Sequence, residues 1–198
     1  MSRFGWLRDL AAVSGDAVTL RAPAEPERIT AVEQAYGVTL PADYKAFLAE
    51  SDGAILALGE MVLSTEGLTR ALDRYGYAPW SGRLEVDTPR DPHRGKPRHW
   101  LVVLTEPFSP DAYAWDTRRG GPADWKMVHW DPEEDLDDLL TPVAPSFEAA
   151  LLLRLYRGLE PERFPEGERA WKRWNNALAR RLEKLGAAVD DRFGRAQF

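Results

Sequence analysis

The residues able to carry chemistry are few, and their spacing limits what they can do. The chain has three histidines, His93, His99 and His129, and no cysteine. None of the histidines stands at the i, i+4 spacing of a helical zinc pair, and no HExxH occurs. Without cysteine there is no disulfide, no thiolate nucleophile and no Cys-ligated zinc. His93 and His99 lie in a proline-rich stretch where a solvated imidazole is the ordinary outcome, and no carboxylate spacing there builds a metal set. His129 is flanked by strand residues and tryptophans, and reads as an interface or surface residue. No metal, cofactor or catalytic centre is expected. A hydrolase built on these histidines and nearby carboxylates is the remote alternative.

The densest titratable feature is the run DPEEDLDD at Asp131–Asp138, six carboxylates in eight positions. It fails as a calcium loop: with Asp131 at position 1, Leu136 falls where an EF-hand needs glycine and Pro142 where it needs its bidentate glutamate. One reading is a solvated acidic loop between a strand and a helix. The sharper reading is a phosphate-mimicking patch. Glu133, Glu134, Asp135, Asp137 and Asp138 would then compete for the lysines and arginines of a basic partner groove.

The overall charge agrees with that direction. Formal net charge is −6; residues 1–156 carry 16 basic and 25 acidic side chains, residues 157–198 carry 10 and 7. Such a chain is poorly suited to wrapping nucleic acid and better suited to meeting a basic protein. With 198 residues, 44% hydrophobic and 29% charged, it reads as one globular domain, or one with an appendage. No apolar run approaches the roughly 20 residues needed to span a bilayer. Met1–Val13 is amphipathic and lacks the apolar core of a signal peptide, so a cytoplasmic location is expected.

The elements that must position these residues are legible in turn. Ile29, Val32 and Tyr36 share one helical face, and Gly37 stops that helix. Pro41 and Asp43 open a second helix that buries Tyr44, Phe47 and Leu48 and closes at Asp52-Gly53. Residues 14–26 form a turn-rich lead-in. Ala54–Leu63 predicts two short strands hinged at Gly59-Glu60, and Thr65–Tyr75 a short helix. Residues 76–99, with four prolines and three glycines, form a long loop that carries Trp80.

Trp100–Leu104, Ala112–Asp116 and Trp125–Trp130 read as an antiparallel meander. Tyr113 and Trp115 share one face of the second strand; Trp125, Met127 and His129 share one face of the third. Ser146 then caps a helix from Phe147 to about Arg157. A last amphipathic helix spans Gly167–Leu185, with Trp171, Trp174, Leu178, Leu182 and Leu185 as its apolar stripe and a basic opposite surface. If that stripe were not buried within the chain, a homodimer would follow. Of the eight tryptophans most belong to the core, and exposed ones, Trp80 and Trp125 among the candidates, would anchor a partner.

The order of parts resembles the SUKH superfamily, which includes the yeast cell-wall assembly regulator and many bacterial toxin-immunity proteins. Ile29, Glu33, Gly37, Leu40, Pro41, Tyr44, Phe47, Leu48 and Gly53 carry the front of the resemblance. Tyr113–Asp116 resembles the family's central strand, and Val128, Trp130, Asp131, Ser146, Phe147 and Leu151 its closing strand and helix. The resemblance covers roughly residues 22–156. It departs from the minimal family pattern in the loop at 76–99 and the helix at 167–185.

The resemblance implies an α+β fold: one antiparallel sheet of about four to six strands packed against N- and C-terminal helices. The expected division is a SUKH-like domain over residues 1–156 and a helical extension, 157–198, packed on it. The implied role is non-enzymatic binding, most often of a secreted toxin. A housekeeping interaction module of the cell-wall-regulator kind is the alternative. The partner-facing residues would be Trp80, His93, Trp125, His129 and the acidic run.

Overall fold

Local signals start and stop each helix, and the sheet grows between them. The computed structural model describes residues 2–69, 100–105, 112–117, 121–130 and 140–186. Helix α1 (Gly5–Val13) precedes strand β1 (Val18–Leu20) and helices α2 (Pro26–Tyr36) and α3 (Ala42–Leu48). Strands β2 (Ala54–Leu56) and β3 (Met61–Val62) form a hairpin, followed by helical residues 65–69, here α4. Strands β4 (Trp100–Thr105), β5 (Ala112–Asp116), β6 (Lys126–Trp130) and β7 (Leu140–Ala144) complete the sheet. Helix α5 (Phe147–Gly158), a 3-10 turn (Pro161–Arg163) and helix α6 (Glu168–Lys184) follow.

Among the described residues seven strands pair in sequence order, every neighbour antiparallel. The class is therefore α+β, as the sequence implies, with more strands than the four to six expected. The additions are at the two edges. β1 lies inside the stretch expected to be a turn-rich lead-in: three residues are too few for alternation to stand out, but Val18 is buried and the segment pairs with β2. β7 contains Pro142, which argues against a strand in a sheet interior and is tolerated here because β7 is an edge.

The front segment folds as its residues dictate. Pro26 occupies the first turn of α2, and Gly37 ends it in the left-handed region with φ of 60°. Ile29 and Val32 are buried; the side chain of Tyr36 lies outside the described residues. The Glu33 carboxylate accepts the Leu40 N–H at 2.7 Å and pairs with Lys45 Nζ at 3.1 Å, which pins the elbow between α2 and α3. At the far end of α3, Asp52 accepts from Thr65 twice, from N–H at 2.6 Å and Oγ1 at 3.0 Å, and so holds the start of α4. Arg28 Nη1 approaches the same carboxylate at 3.4 Å.

The core is aromatic at its centre. Tyr44 packs edge-on against Trp115 and Phe147, each with centroids 5.1 Å away, and stacks with Phe47 at 6.1 Å. Phe4 of the N-terminal segment meets Phe47 at 5.8 Å and Phe147 at 6.1 Å. The aligned strand residues Leu101, Trp115 and Met127 supply the sheet's side of this cluster. On the other sheet face Ala114 and Val128 are opposite one another and also buried, so β5 is covered on both sides.

Helix α6 closes over α5. Leu178 and Leu182 are fully buried, Trp171 and Trp174 partly so, and Trp171 Nε1 donates to the Leu159 carbonyl at 2.8 Å. The Arg181 guanidinium lies 5.2 Å from the centre of the Trp6 ring, tying α6 to α1. The apolar stripe is thus accounted for by packing within the chain.

Gly53 and Tyr44 generate two expectations. Gly53 has φ of 93°, and a Cβ there would lie 3.0 Å from both Ser64 N and Val62 O. Gly53→Ala should cost about 1–3 kcal/mol in urea unfolding, whereas Gly121→Ala, with open space around it, should stay within about 0.5 kcal/mol. Tyr44 Oη donates to the Leu63 carbonyl at 2.6 Å, so Tyr44→Phe should cost about 1–2 kcal/mol at neutral pH. Burial first, then the Asp52 charge, holds the folded hydroxyl far above its ordinary value of 10.0. The unfolded chain alone then releases this proton above pH 10. The margin of wild type over Tyr44→Phe should therefore be intact below pH 10 and shrink as pH rises beyond it, measured by urea unfolding across that range.

Candidate functional site

Two features lie on the helix-facing side of β5 and β6, one beside Arg154 of α5, the other at the start of the helix. The first is a chain of polar side chains from four elements. Glu60 leaves the β2–β3 turn, Arg154 projects from α5, and Tyr113 and His129 are register partners in β5 and β6. Arg154 Nη1 donates to Tyr113 Oη at 2.7 Å, Nη2 pairs with Glu60 Oε1, and the guanidinium carbon lies 5.0 Å from the Tyr113 ring centre. The Tyr113 and His129 rings are 5.1 Å apart.

Glu60 is only 2% exposed, so its charge is tolerable only because a cation meets it. Burial, followed by the neighbouring Arg157 charge, lowers Arg154 to about 10, which leaves it cationic at neutral pH. The arrangement fixes the hairpin to α5 and presents the half-buried His129 imidazole at its end.

The second feature is a cleft of about 210 Å³ where α3 and α5 begin. Trp115, Trp125, Asp43, Arg3, Pro122 and Ala123 are among its walls. Asp43 is buried and accepts two backbone N–H groups, Tyr44 at 2.9 Å and Glu148 at 3.2 Å, bridging the first turns of both helices. Ser146 Oγ accepts the Ala149 N–H at 3.2 Å, as the sequence implies for a cap of α5. Arg3 Nε is held by Glu148 Oε2 at 2.6 Å. Trp125 Nε1 is buried with no acceptor among the described residues.

The sequence-selected residues divide accordingly. Trp125 is 9% exposed, so it is a cleft wall and not a protruding anchor. His129 shares its strand face but belongs to the polar chain. Trp80, His93, His99, Glu133, Glu134, Asp135, Asp137 and Asp138 lie outside the described residues, as do the rest of the loop at 76–99 and the acidic run. Glu60, Arg154 and Asp43 were not singled out as site residues by sequence reasoning. Only Asp43 carried a local signal, its position in a first helical turn; Glu60 and Arg154 are brought together by tertiary packing alone. Among the described residues no group of three or more His, Asp or Glu is placed to hold a metal ion, and no helix is long and apolar enough to cross a membrane.

Helices before and after a single antiparallel meander, locked by a buried ion pair and an aromatic centre, define an α+β scaffold of the SUKH kind. The match to a family model over residues 23–152, more than half of the chain, makes this explicit. The chain belongs to the SMI1 / KNR4 family (SUKH-1). It is also similar to YnaB, an uncharacterized protein of Bacillus subtilis (strain 168), with 46% identity over 46 residues. That similarity spans 23% of this chain and 32% of YnaB, about a third of the relative's length.

The ion pair gives a direct test. Glu60→Gln removes the Glu60 charge from its buried pair with Arg154 and should cost about 3–5 kcal/mol in urea unfolding. Replacing both partners, Glu60→Leu with Arg154→Met, should cost clearly less than the sum of the single changes, read as a double-mutant cycle.

Proposed function

We propose that this protein is a non-enzymatic binding module, an immunity protein that holds and blocks a secreted toxin domain with a basic surface inside the cytoplasm. The observation that carries the reading is membership of the SMI1 / KNR4 family (SUKH-1), whose match runs from α2 into α5. The charge supports the nature of the partner: net −6, with six carboxylates concentrated in Asp131–Asp138. A basic groove would be steered toward such a surface and its cations occupied by carboxylates. The hairpin β2–β3 adds apolar contact area. Ile55 and Met61, opposite one another, are each 39% exposed, and Leu58 at the turn is 49% exposed.

Purification of the tagged full chain from its native host is the deciding experiment. Recovery of a near-stoichiometric toxin domain is the expected result; recovery of cell-wall or regulatory proteins in its place would favour the housekeeping role instead. With the toxin in hand, amides at Glu133, Glu134, Asp135, Asp137 and Asp138 should slow association about tenfold or more at low salt and flatten its salt dependence. An unchanged association rate would remove the acidic run from the interface.

A further inference from the structure

The outer face of α6 carries a row of cations. Arg169, Arg173, Arg180 and Lys184 stand at i, i+4, i+11 and i+15, all exposed, with exposed Asn176 at i+7. We propose that this row is the docking surface for an acidic helix of a partner protein, whose carboxylates repeat at the same spacing. The inference goes beyond the toxin reading. A basic toxin surface meets carboxylates, whereas this row takes a partner of the opposite sign.

Helical geometry makes the row continuous. At 3.6 residues per turn the four side chains fall within roughly 60° of arc, and at 1.5 Å per residue they span about 22 Å. The opposite face is engaged within the chain: Leu178 and Leu182 are fully buried, and Trp171 Nε1 donates to the Leu159 carbonyl. Glu168, Lys172 and Glu183 lie to one side of the row, where Lys172 Nζ pairs with Glu168 at 2.7 Å. Arg181, on the other side, lies over the Trp6 ring of α1. Charge is therefore mixed on one flank of the helix and of a single sign along the row.

The row is unfavourable to the helix that carries it. Arg169 is the second residue of α6, at the positive end of the helix dipole, where a cation destabilises. Arg169 with Arg173, and Arg180 with Lys184, are like-charge pairs at i, i+4, which repel. Only Lys184, in the last turn, has the dipole in its favour. Arg173 Nη2 reaches Glu166 only at 3.8 Å, with both side chains well exposed, so that pair is loose. Arg169, Arg180 and Lys184 form no ion pair among the described residues. Carboxylates brought from outside would relieve the repulsion.

Sign and shape select the partner. Residues 166–184 carry six basic and three acidic side chains, and residues 187–198 two of each, so the balance at this end of the chain is positive. Arginine supplies three of the four cations of the row and grips carboxylates through a planar fork. Positions at i, i+4, i+7 and i+11 are those that a second helix laid alongside would meet, and charge pairs between neighbouring helices set partner choice and orientation. A nucleic-acid duplex or an anionic bilayer extends well beyond the row and would face a chain of net charge −6. A bilayer would also need an apolar anchor, and the apolar stripe of α6 is packed within the chain.

The test uses the full chain and a defined probe. A fluorescently labelled, alanine-based helical peptide bears glutamates at i, i+4, i+7, i+11 and i+15. A control peptide has the same composition with its glutamates spread around the helix. By anisotropy at low salt the first peptide should bind about tenfold or more tightly than the control, and added salt should weaken it. Arg180→Glu should weaken binding about threefold or more while the thermal unfolding midpoint holds or rises, because it turns a like-charge pair into a Glu–Lys pair at i, i+4. Lys172→Glu, the same change in net charge off the row, should weaken binding by less than about twofold. Equal binding of the two peptides, equal losses in the two variants, or tighter binding of a DNA duplex or of phosphatidylserine vesicles than of the peptide overturns the assignment. These outcomes do not touch the toxin reading, which stands or falls on what co-purifies from the host.

Discussion

The hydroxyl of Tyr44 donates to the Leu63 carbonyl from the middle of a ring cluster, and much of the molecule is arranged so that it can. Its ring must fit between Trp115 of the sheet and Phe147 of α5, which sets the distance between α3, the sheet and the returning helix. Its hydroxyl must reach the chain just beyond β3, which requires the hairpin to lie where Gly53 lets it pass close to Val62 and Ser64. Burial keeps the phenol protonated, and Asp52, eight residues after Tyr44, caps α4 and adds a negative charge in the same direction. One side chain therefore couples two helices, a hairpin and the sheet. This coupling explains why Leu40, Pro41, Tyr44, Phe47 and Gly53 occur together in a short segment.

Against that centre, what the sequence made legible is the set of features with local causes. Gly37 stops α2 because a left-handed residue is needed there, and Ser146 caps α5 through its own hydroxyl. Tyr113 and Trp115 alternate onto one face as expected. Burial of β5 on both faces was less visible, because its intervening residues, Ala112 and Ala114, are small and give no strong apolar signal. Strands β1 and β7 escaped because three residues carry no period and a proline contradicts one.

The candidate sites were less legible than the fold for a related reason. Glu60 and Arg154 are 94 positions apart in the chain, and no propensity or spacing links them; only the packing of α5 against the hairpin does. Trp125 reads from the sequence as a candidate for exposure and is buried, since alternation assigns a face and not what covers it. Asp43 reads as an ordinary first-turn acid. That it bridges two helix starts depends on the approach of α5 to α3, which is a tertiary fact.

The two edges of the sheet have a consequence for how this scaffold can associate. β1 offers three residues, and at the other edge Pro142 interrupts β7 with a position that has no N–H to give. Among the described residues neither edge presents the long, regular row of unpaired backbone groups on which a foreign strand could grow. Backbone templating is generic: any extended peptide can satisfy it. Borders blunted in this way offer a strand little to add to, and put the variable chemistry of the scaffold in its side chains. On such a border, changes in surface side chains can accumulate without altering the strand pairing that holds the meander together.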